Sequence, residues 1–79
     1  MKARVIVTLK SGILDPQGKA IEGALHSLAI EGVKGVRQGK IFDLEIEATD
    51  QERARKTLGE ACERLLANTI VENYAIEIV

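Results

Sequence analysis

Between Ala3 and Lys10 the chain alternates, with Val5, Val7 and Leu9 on one side and Ile6 adding an apolar residue on the other. A period of two reads as a strand, and apolar residues on both faces mark one that is central or partly covered on its second side. The period then changes. Ala20, Ile21, Ala24, Leu25, Leu28 and Ala29 recur at spacings of three and four, which predicts an amphipathic helix running to about Glu31. Asp15 precedes it as an N-cap, and Pro16 fits the first helical position, where a missing N–H costs nothing. Gly32 supplies a helix stop.

The segment GVRQGKIFDLEIEAT alternates again, with Phe42, Leu44, Ile46 and Ala48 toward the core and Asp43, Glu45 and Glu47 toward water or a partner. Ile41 beside Phe42 breaks the phase. A short hairpin turning at Gln38–Gly39 is one explanation; one long middle strand, bent by a bulge near Gly39–Lys40, is the other and the one adopted. TDQE, Thr49 to Glu52, fits the capping box of a second helix. Ala54, Leu58, Ala61, Cys62 and Leu65 form its apolar stripe, and Asn68 its stop. ENYAIEIV alternates Tyr74, Ile76 and Ile78 as a last strand. The order β-α-β-α-β predicts an α+β sandwich related to the ferredoxin-like fold, an antiparallel sheet with two helices on one face. Residues 1–79 read as a single domain.

Composition narrows what holds such a domain together. A chain of 79 residues buries only about 60% of its extended surface on folding. Cys62 is the only cysteine, so no disulfide forms within the chain, and Phe42 and Tyr74 are the only aromatic residues. The core must be aliphatic and small, which makes oligomerisation the expected remedy. A net charge of −1, with both signs interspersed, gives no footprint for nucleic acid or an anionic membrane. No apolar run approaches the roughly 18 residues that span a bilayer. MKARVIVTLK lacks the pattern of a secretory signal, so a soluble, cytoplasmic protein is expected.

Candidate chemistry is sparse. GVRQGKI resembles a phosphate loop, but three residues separate its glycines instead of four, and Ile41 follows the lysine where Ser or Thr is needed. His26 and Cys62 both fall within helices, and Cys62 lies on an apolar stripe, where a thiol is inert. Asp43, Glu45 and Glu47 share one strand face, which reads as a solvated or paired surface. Gly23 and Gly59 each interrupt a helix at about 1 kcal/mol, for close helix-to-sheet packing or for the approach of a partner's backbone. In DPQG, Gly18 removes a side chain from the first helical turn. Its backbone N–H groups are then open to an anion or a partner's carbonyl, with Gln17 adding an amide, unless the glycine is simply tolerated in a frayed turn.

Four segments, LKSGILDPQGKAIEGAL, GVRQGKIFDLEI, CERLLANT and ENYAIEIV, together resemble the PurS family, the small subunit of phosphoribosylformylglycinamidine synthase. They cover essentially the whole chain, and LDPQG followed by VRQGK is specific in combination. The departures are local: Thr69 stands where many members carry Pro, and Ala61 where Met often precedes the Cys. The resemblance implies an accessory subunit of de novo purine synthesis, with no catalytic, cofactor-binding or metal-binding residue of its own. ATP and Mg would be used by the complex. The implied partners are a large synthase subunit and a glutaminase subunit, which the small subunit bridges while assisting ammonia transfer, itself as a homodimer or tetramer. Carried over by motif, Asp15, Pro16, Gln17, Gly18, Arg37, Gly39 and Lys40 would touch a partner or shape the contact surface. The competing expectation is a small ferredoxin-like domain that binds a ligand as an oligomer, through the N-terminus of its first helix.

Overall fold

In the computed structural model, which describes residues 1–79, β1 (Lys2–Leu9) lies between β2 (Gly39–Glu45) and β3 (Glu72–Ile78) and is antiparallel to both. The strand with apolar residues on both faces is thus the central one. Val5 stands opposite Phe42 on one side and Ile76 on the other. Ala3, Val5 and Val7 point to the same face and are buried. The second helix, α2 (Gln51–Ala61), closes over them with Leu58, and the turn that follows it adds Cys62. Phe42, Leu44, Ile46, Tyr74, Ile76 and Ile78 pack around this cluster, half-buried, as their alternation predicts.

β2 differs from the expected bent strand or hairpin. Its pairing with β1 is unbroken from Thr8–Gly39 to Lys2–Glu45, and the residues before Gly39 run outside the sheet. The apparent phase break disappears because Ile41 stands opposite Ile6 on the second face of the sheet, where it is 58% exposed. Gly39 opens the strand because a Cβ there would press on the carbonyl of Val7.

The ends of both helices also move. α2 is capped by Asp50, whose carboxylate accepts the Arg53 N–H at 2.7 Å, so the capping residue is one position beyond Thr49. After Ala61 the helix widens into a π-helical turn, Cys62–Leu66, closed by the Ala67 N–H on the Cys62 carbonyl at 3.0 Å. The wider turn keeps Leu66 beneath Leu58 and Cys62, against the core, and swings Leu65 out to 82% exposure. The predicted stripe therefore holds through Cys62 and fails at Leu65.

α1 (Pro16–Ser27) stops one turn early. Ala29 takes a left-handed φ of 60°, its N–H bonds the His26 carbonyl, and the Ile30 N–H bonds that of Leu25, both at 3.0 Å. This is the Schellman arrangement with alanine in the position glycine normally holds. Gly32, also at positive φ, lies in the loop beyond. Of the two helices expected on the core face, α2 alone is packed along the sheet. α1 is buried only at Gly18; its Ile21, and Leu28 and Ile30 just past its end, are open to solvent. The chain accordingly measures 49 × 25 × 15 Å. Its radius of gyration of 15.9 Å exceeds the roughly 12 Å of a compact chain of this length.

Candidate functional site

The residues carried over by motif meet where α1 leaves the body. After β1 the chain turns through Gly12, whose φ of 85° suits glycine, and reaches Asp15, which is only 5% exposed. One carboxylate oxygen of Asp15 accepts the Gly18 N–H at 2.8 Å, as a helix cap does. The other accepts the Gln38 N–H at 2.6 Å. Hydrogen bonds from the Gln38 and Gly18 amides, with the Arg37 guanidinium nearby, hold this carboxyl below the ordinary carboxylate range. One side chain thus caps the helix and fastens it to the segment entering β2.

Three further bonds strengthen the joint. Arg37 donates from Nη1 to the Ile13 carbonyl at 2.9 Å and from Nη2 to that of Lys10 at 3.0 Å. Gln38 Nε2 donates to Gln17 Oε1 at 2.6 Å. Gly18 has a sharper role than an open first turn. Its N–H is taken by Asp15, and the Val36 carbonyl packs where a Cβ would stand. Gly18 is there so that two segments can touch. An anion or a partner's carbonyl finds no free donor at this residue.

Beside the joint runs a groove of about 350 Å³. Asp15, Pro16 and Gln17 line it together with Gln38, Gly39, Lys40 and Glu72, and Val7 and Leu9 of β1. At its end Lys40 Nζ lies 3.7 Å from Glu72, whose second oxygen accepts the Asn68 N–H at 2.6 Å. The structure therefore gathers Asp15, Pro16, Gln17, Gly18, Arg37, Gly39 and Lys40 into one end of the molecule. Gln38 and Glu72 belong with them and were not singled out by sequence. Gln38 stood inside the VRQGK signal, whereas Glu72 carried no signal, since only the fold brings it to Lys40.

The remaining candidates resolve simply. Asp43 is held by Arg4 across the strand pair, Nε to Oδ1 at 2.8 Å, which lowers its pKa; Glu45 and Glu47 are exposed. Burial pushes the Cys62 thiol up, and His26 is exposed on the last turn of α1. No three His, Cys, Asp or Glu side chains come together as a metal site. The Tyr74 hydroxyl donates to Glu63 at 2.8 Å, tying β3 to the π-helical turn. No helix is long and apolar enough to cross a membrane.

Fold and site together define a small ferredoxin-like α+β module whose distinctive residues fix one end of the sheet. Its relatives are specific. The family model PurS, phosphoribosylformylglycinamidine (FGAM) synthase, matches residues 2–79, and the chain belongs to the PurS family. It is 46% identical over 77 residues to the phosphoribosylformylglycinamidine synthase subunit PurS of Bacillus subtilis, covering 98% of this chain and 90% of that one. The PurS subunit of Mycobacterium leprae is 48% identical over 75 residues, covering 95% and 91%. Among solved structures, a chain of PurLQS from Thermotoga maritima superposes with a TM-score of 0.90 at 37% identity, covering 99% of this chain and 95% of that one.

Proposed function

We propose that this chain is a noncatalytic accessory subunit of phosphoribosylformylglycinamidine synthase in purine biosynthesis. The observation that carries the proposal is the family match across residues 2–79, made by a chain that also superposes on a component of PurLQS. In this role the chain bridges the large ATP-dependent synthase subunit and the glutaminase subunit, and assists the passage of ammonia between them. ATP and its magnesium act on the larger subunits. The groove beside Gln17 and Lys40 is the surface we assign to partner contact, with Asp15, Gly18 and Arg37 shaping it from behind.

The subunit works as a homo-oligomer in the cytoplasm. Its exposed area is 6022 Å², about 1,300 Å² above the ~4,700 Å² of a compact chain of its mass. Covering that excess on two protomers buries about 2,600 Å², within the range of obligate homodimers. Leu14, Ile21, Leu28, Ile30 and Val33, all along or beside α1, supply apolar surface for it.

Reconstitution tests the role. Glutamine-dependent synthesis by the two larger subunits should require this chain, and equal activity with and without it would overturn the proposal.

A further inference from the structure

Both outer edges of the sheet are open. Met1 and Ile46 exchange both backbone hydrogen bonds, at 3.1 and 2.8 Å, so the N–H and C=O groups of Ile41, Asp43 and Glu45 point away from β1. None of them has a partner within the chain. The edge of β3 is nearly as bare, with one contact from Arg55 to the Ile76 carbonyl at 3.4 Å. Openness alone selects no occupant, but the order of elements does. The ferredoxin-like motif runs β-α-β-β-α-β, with both helices on one face of its sheet. This chain runs β-α-β-α-β and has a three-stranded sheet. The absent strand falls between α1 and β2. Consecutive strands neighbour one another, which puts it on the outer edge of β2, with α1 over that half of the sheet. Both places are vacant: α2 lies along β3, and Phe42 and Leu44 of β2 stay half-buried.

Both missing pieces exist in this chain, in the right order. α1 is uncovered, and no backbone N–H or C=O group of residues 33–37 has a partner within the chain. They are kept from closing on their own sheet. Asp15 holds the Gln38 N–H at 2.6 Å, and Arg37 is spent on the carbonyls of Ile13 and Lys10. Residues 37 and 38 are thereby fixed to the loop after β1, and the chain enters β2 without turning back along it. We infer that two copies exchange these pieces. The α1 of each lies over the β2 half of the other's sheet, and residues 33–37 of each add a fourth strand to the other's β2. The inference rests on the homo-oligomer proposed above and names the surfaces that form it. A second copy is the occupant because one reciprocal exchange fills both vacancies and covers both stray segments. A different subunit on the β2 edge would leave α1 and residues 33–37 bare. The lengths agree: α1, with 12 residues, spans about 18 Å and β2, with 7, about 23 Å.

Two measurements on the isolated oligomer test this. The amides of Ile41, Asp43 and Glu45 should exchange at least ~10-fold more slowly than in an unfolded peptide of the same sequence, as edge amides become ladder amides. For the second, two differently tagged chains are refolded together in a Cys62→Ala background, one carrying Lys34→Cys and the other Ile41→Cys. A short bismaleimide should join the two tags, whereas two Ile41→Cys chains should stay unjoined. An oligomer whose edge amides still exchange fast would overturn the inference and leave the homo-oligomer standing. Protection that appears only when the larger subunits are added would also overturn it, by assigning the edge to them. Joining of Ile41→Cys to Ile41→Cys would overturn it in favour of β2 pairing with β2. A chain that sediments as a monomer at every concentration would bring down the homo-oligomer reading, and this inference with it.

Discussion

Gly18 and Gly23 lie five positions apart in one helix and answer to different physics. At Gly18 a Cβ would meet the Val36 carbonyl and the Asp15 carboxylate; at Gly23 it would meet nothing within 4 Å. Gly18→Ala should therefore destabilise the chain by about 2 kcal/mol through overpacking. Gly23→Ala should stabilise it by up to about 1 kcal/mol from helix propensity alone. Urea unfolding of both variants measures the contrast. The open space at Gly23 also removes close helix-to-sheet packing as its reason within one chain. Asp15 sets the acid limb of stability. Its folded pKa lies below the ordinary 3.8, so its contribution is complete above that value and is lost as pH falls through the lower folded value. Asp43 shifts in the same direction through Arg4. Asp15→Asn should flatten part of the acid limb of a stability-against-pH curve, and Asp43→Asn a further part. An unchanged curve for Asp15→Asn would mean the joint does not depend on charge.

Among the elements, the strands were legible because each carries one buried face and a period of two. The misreadings were at places where two neighbouring residues were both competent. Thr49 and Asp50 can each cap α2, and the fold uses Asp50. Leu65 and Leu66 can each continue its stripe, and a π-helical turn, invisible to a 3.6-residue period, selects Leu66. The end of α1 is a different matter, since alanine there holds a conformation that disfavours a Cβ. Ala29→Gly should raise stability by about 1 kcal/mol, read as a shift of the urea midpoint. The site was legible only in part. DPQG and VRQGK stood out as separate markers, but Asp15 and Gln38 are 23 residues apart and only the folded chain shows one bonding the other.

At the scale of the molecule, an amphipathic stripe states that one side of a helix must be covered, and says nothing about which chain covers it. That is why the sequence suggested two helices on one sheet while α1 extends away with Leu28 at 69% exposure. Stability of the isolated protein should then depend on concentration. The unfolding midpoint should rise with protomer concentration by mass action, which thermal or urea melts across a dilution series will show. A midpoint independent of concentration would mean that the lone chain is stable with α1 uncovered.

The joint at Asp15 has a mechanical side. α1 has 12 residues and is about 18 Å long, so a tilt of about 10° at its root carries the far end through some 3 Å. The root is set by two hydrogen bonds to one carboxylate, and its other strap, Arg37, sits beside Gln38 at the start of β2. α1 is a lever whose pivot shares its backbone with the entry to β2. A change of angle at Gln38 is enlarged at the far end of the helix, where Leu28 stands.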